Sequence, residues 1–410
     1  MTSSNTTAGI PAAANPPRPG PATTALDRCL EVTDGPVNLA RVDTEFSALW
    51  LRAGQKLGKG EEVPIVRACL WNIVVVRSTS GGFAADTGAS SSLELDALLE
   101  EATLSVPARI ISLRNVPRTA DDAVEATLAI RCVKGPSGAG TVVCEEVAIA
   151  ASESKGAEHF PALVRALLVP NLPVALLWLD GLPRRGRLVS QLTHLSDRIL
   201  IDSRGPAPIS GLVELNELVR NTRALVTDLA WSRLTPMRYL LASLFDPPGH
   251  AENLKALEQV HLETTPAGRN QGLLLLSWLL ARCGDTRLQA VELAVRPVAP
   301  LEHFQWRVTH AARRPYPVDV ETRAESIAGG YDGILKLQID AAGQHYALER
   351  ADADHVVLRS PHTAERKVAL HGWGEADLLV SALGAQRGDP LYAEALGLAA
   401  EMMDQEQWNE

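Results

Sequence analysis

The sequence predicts an α/β protein with a central parallel sheet, and two observations support this. Four short apolar runs alternate with segments whose apolar residues recur every three or four positions, a pattern typical of successive strand–helix units. The runs cover residues 173–178, 199–203, 225–228 and 260–263. The turn after the first run, residues 180–187, matches neither the dinucleotide-binding nor the phosphate-loop glycine pattern. The sequence therefore predicts a Rossmann-like unit that lacks a nucleotide fingerprint.

Changes in this pattern along the chain predict four regions. Residues 1–25 are rich in Thr, Ala, Pro, Ser and Gly, so they bury little apolar surface and are predicted to form a disordered leader. Residues 26–155 are predicted as an N-terminal α+β region, and residues 156–285 as the parallel α/β unit. In residues 286–410 the apolar residues recur at every second position, which predicts a C-terminal, mostly antiparallel α+β region.

Individual elements follow from the apolar spacing and from the turn residues between them. The predicted helices cover residues 42–55, 93–104, 268–283, 375–383 and 392–403. The predicted strands outside the parallel unit cover residues 65–76, 109–113, 124–133, 141–149, 288–295, 304–310, 334–339, 346–350 and 355–359. This order predicts that an antiparallel sheet follows the parallel unit.

Two neighbouring strands form a predicted hairpin whose register can be argued from its side chains. Pairing Leu128 with Val147 places apolar side chains on one common face. This register sets Cys132 opposite Val143 and turns Cys144 to the other face. A slip by one residue would bring Cys132 and Cys144 together as a candidate redox pair, but it would also place a glutamate opposite an apolar side chain. We therefore predict the first register.

Composition and charge exclude several classes of protein. The chain has 410 residues, is 46% hydrophobic and carries a formal net charge of -10, whereas proteins that bind nucleic acid or anionic membranes are usually basic. No apolar run approaches the roughly 20 residues that a membrane-spanning helix needs. The five cysteines form no CxxC pair and the ten histidines are dispersed, so we expect neither a metal site nor a disulfide framework. These features favour a cytoplasmic protein without nucleic-acid or membrane partners.

Charged residues follow the predicted strands of the parallel unit, at the edge where open α/β sheets bind ligands. Asp202 and Asp228 are the only pair there that could act as acid and base, but Asp also caps the helix after such a strand, which is the stronger interpretation. Arg184, Arg185 and Arg187 could bind a phosphate or the carboxylates of a partner. Alternatively, they are solvated loop residues.

Residues 228–238 (DLAWSRLTPMR) combine a Trp and two Arg near the start of a predicted helix. These side chains most often dominate the energetics of protein interfaces, so Trp231, Arg233 and Arg238 are candidate partner-binding residues. Alternatively, Trp231 packs under the sheet and Arg233 pairs with a nearby carboxylate. Because the sequence contains no GxSxG elbow and no HExxH motif, it gives no support to a serine hydrolase or a zinc protease.

Several short segments between residues 64 and 284 occur in a specific order. They are residues 67–72 (RACLWN), 107–111 (PARII), 144–147 (CEEV), 167–174 (LLVPNLPV) with Trp178, 197–203 (DRILIDS), 228–238, 244–247 (LFDP) and 274–284 (LLLSWLLARCG). Together they resemble OpcA, the glucose-6-phosphate dehydrogenase assembly protein family. Three residues depart from the family pattern: Asn171 replaces an Asp, Leu177 a second Trp, and Met237 a Trp. Trp178 belongs to this Trp cluster and is a further candidate partner contact.

The resemblance implies a protein without catalysis or a cofactor of its own. Members of the family bind glucose-6-phosphate dehydrogenase, favour its active oligomer and raise its activity at the head of the oxidative pentose phosphate pathway. In some members, thiol redox state modulates this effect. The residues themselves leave a second hypothesis open: an α/β enzyme or sugar-phosphate-binding protein that acts at the carboxyl edge of the parallel sheet, through the two aspartates and the arginine loop.

Overall fold

The computed structural model of the chain contains two large sheets, which we call sheet A and sheet B. It describes residues 28–57, 65–77, 90–116, 124–134, 140–152, 156–179, 182–183, 186–205, 211–284, 287–295, 302–310, 313–323, 332–370 and 372–404. The predicted leader, residues 1–25, lies outside these ranges. The division of the chain into four regions stays a prediction.

Sheet A is largely parallel. Its strands are β1 (Arg28–Val32), β2 (Ile65–Arg67), β3 (Trp71–Arg77), β4 (Ala108–Val116), β5 (Val124–Lys134), β6 (Gly140–Ser152), β7 (Val174–Trp178), β8 (Arg198–Ile201) and β9 (Leu225–Asp228). They lie in the order β1-β5-β6-β4-β3-β7-β8-β9, and β2 pairs with β6. From β6 to β9 all neighbours are parallel, whereas β5 is antiparallel to both β1 and β6. Three of the four predicted parallel strands are thus present, as β7, β8 and β9. The same sheet also contains β1 to β6 from the predicted N-terminal region.

Helices cover both faces of sheet A, which explains its continuous apolar strands. The helices of the chain are α1 (Val42–Leu57), α2 (Ser90–Ser105), α3 (Phe160–Leu167), α4 (Arg187–His194), α5 (Gly211–Asn221), α6 (Leu229–Arg233), α7 (Thr235–Ser243), α8 (His250–Asn253), α9 (Arg269–Cys283), α10 (Glu375–Gly384) and α11 (Pro390–Met402). Ile73 and Val75 of β3 share a core with α2 and α10. Val74, which points the other way, belongs to a core with α1, α3, α4 and α5. The parallel sheet is therefore buried on both sides.

Sheet B is mostly antiparallel, as the period-two pattern predicts. Its strands are β10 (Leu257–Thr264), β11 (Leu288–Val295), β12 (Glu302–His310), β13 (Arg313–Thr322), β14 (Ile334–Ala341), β15 (Gln344–Arg350), β16 (His355–Arg359) and β17 (Arg366–Ala369), in the order β11-β12-β13-β10-β14-β15-β16-β17. Phe304 and Trp306 on its buried face join the core formed by α9 and α11. Within α9, Leu273 and Leu276 are fully buried. In the described part of the chain, no helix combines the length and apolar character that crossing a membrane requires.

The fourth predicted parallel strand forms, but in the other sheet. Residues 260–263 lie in β10, which is antiparallel to β14 and parallel to β13. The placement in the parallel sheet was wrong because the run alternates: Val260 and Leu262 are buried, whereas His261 and Glu263 are partly exposed. A strand with one polar face suits a sheet that packs on one side only.

Strand β13 has no counterpart among the predicted elements, because Pro315 and Pro317 break its apolar pattern. Proline cannot donate to a neighbouring strand and therefore occurs at sheet edges. The pairing of β13 with β10 begins only at Val318, so both prolines lie where β12 is the only paired neighbour among the described strands. Beyond that point Val318 and Val320 alternate into the core, as in an ordinary strand.

The hairpin of β5 and β6 confirms most of the predicted register. Leu128 pairs with Val147 as expected. A bulge between Arg131 and Cys132 then shifts the ladder by one residue, so Cys132 pairs with Val142 and not with the predicted Val143. Cys132 and Cys144 lie in cores on opposite faces of the sheet, so this register does not bring them together. Burial raises the pKa of the Cys144 thiol to about 12.

Candidate functional site

The carboxyl ends of β8 and β9 hold a buried carboxylate, Asp228, whose hydrogen bonds join distant parts of the chain. Asp228 is 1% exposed and caps α6 by accepting from the backbone N–H of Ala230 at 3.0 Å. It also accepts from the backbone N–H and the hydroxyl of Ser203, at 3.1 and 2.6 Å. The Tyr392 hydroxyl donates to it at 3.3 Å. Asp228 is therefore a helix cap, as the stronger of the two interpretations predicts.

The second predicted carboxylate, Asp202, belongs to an ion-pair network on the same edge. Arg233 donates to Asp202 at 3.0 Å and holds Glu375 at the start of α10 through two N–H groups. Arg204 lies 3.5 Å from Asp202 and also approaches Glu375. Burial alone would lower the pKa of Arg233, but its hydrogen bonds to the two carboxylates outweigh burial and raise it. Arg233 thus connects α10 to the carboxyl edge of sheet A through its ion pairs with Glu375 and Asp202.

Trp231 lies in the core between α6 and α11. It is 4% exposed, and its indole N–H donates to Asp389 at 2.7 Å. Its ring lies 5.7 Å from that of Tyr392, and the Arg238 guanidinium stacks 3.8 Å from its centre. Burial lowers the pKa of Arg238, which nevertheless stays a cation facing the negative face of the indole ring. In this structure Trp231 therefore packs in the core, and its candidate role as an exposed anchor does not fit this position.

Side chains at the start of α9 contact the residues that follow β8 and β9. The Asn270 side chain donates to the Ser203 carbonyl at 3.1 Å, and that of Gln271 donates to the Ala230 carbonyl at 3.2 Å. The backbones also approach closely here, because a Cβ atom on Gly268 would lie 2.4 Å from the Gly333 backbone. These contacts place the start of α9 against the residues that follow β8 and β9, at the edge where open α/β sheets bind ligands.

The remaining predicted partner-binding residues lie at different depths. Trp178 ends β7 and is half-buried, and Arg187 is exposed at the first position of α4. Arg184 and Arg185 lie outside the described residues. The structure brings together Trp231 and its neighbours on α6 and α7, but those contacts lie within the chain. A role of any of these residues in binding a partner stays a prediction.

Two exposed aromatic residues near this edge were missed by sequence reasoning. Trp373 is 39% exposed and lies two residues before Glu375 of the arginine network. Gly372 and Gly374 flank this Trp and predict a plain turn into a helix, and the start of α10 at Glu375 confirms it. A Trp in such a turn also indicates an exposed ring. Tyr239 is 62% exposed on α7, where it follows Arg238. Its exposure could have been predicted, because Tyr239 lies on the opposite side of α7 from the buried Met237.

The buried position of Asp228 predicts a specific dependence of stability on pH. Burial, more than the nearby Asp202, raises the pKa of Asp228 from 3.8 to about 6 against the opposing hydrogen bonds from Ser203 and Ala230. The folded protein then holds a proton that the unfolded chain releases between about pH 4 and pH 6, so this group makes the fold less stable as pH rises through that window. The full difference is about 3 kcal/mol.

Urea unfolding of the wild type and of Asp228→Asn at several pH values measures this contribution. We expect the wild type to lose stability relative to the variant between about pH 4 and pH 6, because Asn does not ionise. The absolute stability of the variant falls at all pH values, since its amide cannot accept all the hydrogen bonds of the carboxylate. A stability difference that stays constant across this range would contradict the raised pKa.

A second buried ion-pair cluster lies at the amino edge of sheet A. Glu145 of β6 is 2% exposed, and one of its oxygens accepts from Arg67 at 2.8 Å and from the Arg109 Nε at 2.9 Å. Arg109 of β4 is itself buried, donates to the Leu167 carbonyl and faces the ring of Phe46. The cluster thus ties α1, β2, β4 and β6 together. Among the described residues, no group of three or more His, Cys, Asp or Glu could hold a metal ion.

Comparison with known proteins assigns the chain to a family. Residues 99–217 match the model described as the glucose-6-phosphate dehydrogenase subunit N-terminal domain of OpcA, and residues 224–396 match the corresponding C-terminal domain. The chain belongs to the OpcA family. It is 29% identical over 195 residues to a putative OxPP cycle protein OpcA of Synechocystis sp., and 29% identical over 187 residues to one of Nostoc punctiforme. These matches cover 47% and 45% of the chain but only 40% of the length of each relative.

Solved structures similar to this OpcA-family chain include oxidoreductases. An oxidoreductase from Sinorhizobium meliloti is 11% identical, with a TM-score of 0.45 over 83% of this chain and 98% of that chain. Biliverdin reductase from Synechocystis sp. is 9% identical, with a TM-score of 0.44 over 82% of this chain and 98% of that chain. The apo form of levoglucosan dehydrogenase is 10% identical, with a TM-score of 0.44 and coverages of 83% and 98%.

Proposed function

We propose that this chain is a non-catalytic allosteric effector and assembly factor. It binds glucose-6-phosphate dehydrogenase, promotes the active oligomer of that enzyme and raises its activity in the oxidative pentose phosphate pathway. The family descriptions name a subunit of that dehydrogenase, and the curated relatives are named as proteins of the OxPP cycle. The proposal places the chain in the cytoplasm, without a cofactor, metal, nucleic-acid or membrane partner.

The observation that carries the proposal is the pairing, within the chain, of Asp228, Asp202 and Arg233 among the described residues at the carboxyl edge of sheet A. An enzyme or sugar-phosphate-binding protein that acts there needs polar groups facing an open pocket. Asp228 instead accepts hydrogen bonds from Ser203 and Tyr392 in the interior, and Arg233 is held between two carboxylates. Groups that are already paired favour a structural role, and a protein that works by binding alone fits this arrangement better than an enzyme does.

Binding alone is sufficient for such an effect. A ligand shifts an equilibrium between two states of its partner by the difference between its affinities for them, and it needs no chemistry of its own. If the chain binds the active oligomer of the dehydrogenase more tightly than the smaller form, it raises the population of the active oligomer. A tenfold difference in affinity corresponds to about 1.4 kcal/mol.

Exposed residues at the carboxyl edge of sheet A form the proposed docking surface. We call Arg187, Arg204 and Trp373 the carboxyl-edge surface; Arg204 is half-exposed and Trp373 is 39% exposed. Exposed Trp and Arg side chains are the usual anchors of protein interfaces. Arg184 and Arg185 extend the proposal along the chain, and the half-buried Trp178 contributes to it. Trp231, Arg233 and Arg238 would act here by holding α10 and α7 in place.

The test is an assay of the dehydrogenase with and without this protein, across glucose 6-phosphate concentrations, with the mass followed by light scattering. We expect a lower apparent KM together with a shift to a larger complex. Trp373→Ala should weaken both effects at least fivefold, because truncation of an interface Trp typically costs 1 kcal/mol or more. Unchanged kinetics and mass with the wild-type protein would refute the proposal.

A matched control separates docking from damage to the fold. Leu51→Ala removes a side chain that is 57% exposed on α1, away from the carboxyl-edge surface, and should leave the assay unchanged. Both variants should retain the wild-type melting temperature, since exposed substitutions usually change stability by less than about 0.5 kcal/mol. Equal loss in the two variants would place the docking surface elsewhere.

A further inference from the structure

An apolar cavity of about 470 Å³ lies between helices α7, α8 and α9, apart from the carboxyl-edge surface. Phe245 follows α7, Leu254 follows α8, and Trp278 and Leu279 lie on the second half of α9; together they form much of its wall. Ligand pockets in proteins typically measure 300–1,000 Å³ and are lined mainly by apolar and aromatic side chains. The size and lining of this cavity thus fit a small organic molecule.

Among the described residues that line the cavity, the two charged ones are both cations. They are Lys255, which follows Leu254, and Arg282 on α9. Each forms an ion pair with an exposed glutamate, Glu252 or Glu394, and neither glutamate lines the cavity. Exposed pairs of this kind contribute little, so an anion can replace the glutamates at low cost. In a chain with a net charge of -10, a cavity whose described lining residues include two cations and no carboxylate selects for an anion.

The third feature is an unsatisfied donor. The indole N–H of Trp278 is buried and has no hydrogen-bond partner among the residues that the structure describes. A buried donor without an acceptor costs free energy, and an acceptor brought by a ligand would remove that cost. Trp278 lines the cavity, so a small rotation of its ring could bring the indole N–H to an oxygen atom of a bound ligand.

We propose that this cavity binds a small amphipathic monoanion, an apolar chain or ring that carries one carboxylate. The apolar part lies against Phe245, Leu254 and Leu279, and the carboxylate lies between Lys255 and Arg282. This inference does not depend on the binding of the dehydrogenase. It would make the chain responsive to an apolar carboxylate through helices α7 and α9. These helices also carry Arg238, which stacks on Trp231, and Asn270, which donates to the Ser203 carbonyl.

The experiment is titration of the full chain with decanoate below its micelle concentration, followed by calorimetry and by displacement of the fluorescent anion anilinonaphthalene sulfonate. Decanol and decyltrimethylammonium are the matched neutral and cationic probes. We expect decanoate to bind at least tenfold more tightly than either of them. Binding of all three probes with equal affinity, or of none, would overturn the proposal.

Variants locate the site and separate its two parts. Arg282→Gln should weaken decanoate at least fivefold while leaving decanol unchanged, and Ala242→Trp, which fills the cavity, should abolish both. Ala162→Trp, at an exposed position of α3, is the matched control and should bind as the wild type does. Unchanged decanoate binding in Arg282→Gln would overturn the proposed charge recognition even if Ala242→Trp failed to fold.

A spectroscopic readout tests the indole directly. In an amide-correlation spectrum, the indole N–H signal that disappears in Trp278→Phe belongs to this residue. Decanoate should shift that signal downfield as the N–H gains an acceptor, while the signals of the other seven Trp residues move less. A shift confined to other Trp residues would place the bound carboxylate away from this cavity and would contradict the proposal.

Discussion

Trp231→Ala is expected to lower the free energy of unfolding by about 3–5 kcal/mol, the cost typical of removing a large aromatic side chain from a core. The ring is 4% exposed and lies between Tyr392 and the Arg238 guanidinium, so its removal leaves a cavity and exposes neighbours on two helices. It also leaves Asp389 without the indole donor. Urea unfolding followed by circular dichroism measures the loss.

Two further variants separate packing from hydrogen bonding. Trp231→Phe keeps most of the apolar volume but loses the donor to Asp389, and should cost about 1.5–3 kcal/mol, the range for a hydrogen bond to a charged group. Tyr239→Ala removes an aromatic ring that is 62% exposed on the neighbouring helix, and should change stability by less than about 0.5 kcal/mol. If Trp231→Ala kept full stability but lost association with the dehydrogenase, Trp231 would be a surface anchor and its buried position would be refuted.

The parallel strands could be predicted because their burial leaves a strong local signal. β7 is buried on both faces and reads as a continuous apolar run, and the hairpin alternates between apolar and polar residues. The bulge at Arg131 could not be predicted, because one extra residue inserted into a ladder carries no composition signal of its own here. β10 was assigned to the wrong sheet because a run of four residues is too short for the alternation of apolar and polar residues to be clear. The helical pattern after it, which forms α9, favoured a strand–helix unit instead.

At the candidate site, local sequence patterns predicted the role of single residues but not their distant partners. Asp228 was recognisable as a cap, because a capping Asp directly follows a strand and precedes a helix. Another of its partners, Tyr392, is 164 residues away, and the Glu375 partner of Arg233 is 142 residues away. Residues so far apart are brought together by the packing of α10 and α11, which no short segment encodes. The sequence therefore identified several polar residues of the edge but not the network of hydrogen bonds and ion pairs that joins them.

Glu145→Ala at the amino edge is expected to lower the free energy of unfolding by about 3–5 kcal/mol, because it leaves a buried charge without its partner. Arg109 is 5% exposed, and Glu145 accepts from it through two nitrogen atoms at 2.8 and 2.9 Å. Without that carboxylate, the nearest acidic oxygen of Asp43 lies 3.5 Å from Arg109 on an exposed side chain.

The cost of Glu145→Ala arises from the isolated charge, and a second variant tests this. Glu145→Leu combined with Arg109→Leu removes both charges and keeps apolar volume, so it should cost less than Glu145→Ala alone, since replacing a buried pair by apolar residues is often neutral. Glu365→Ala breaks an exposed pair with Arg359 and is the matched control, with an expected cost of about 0–1 kcal/mol. If the double variant lost more stability than the single one, the Glu145–Arg109 pair would stabilise the fold beyond its desolvation cost, and the amino edge would depend on charge for its assembly.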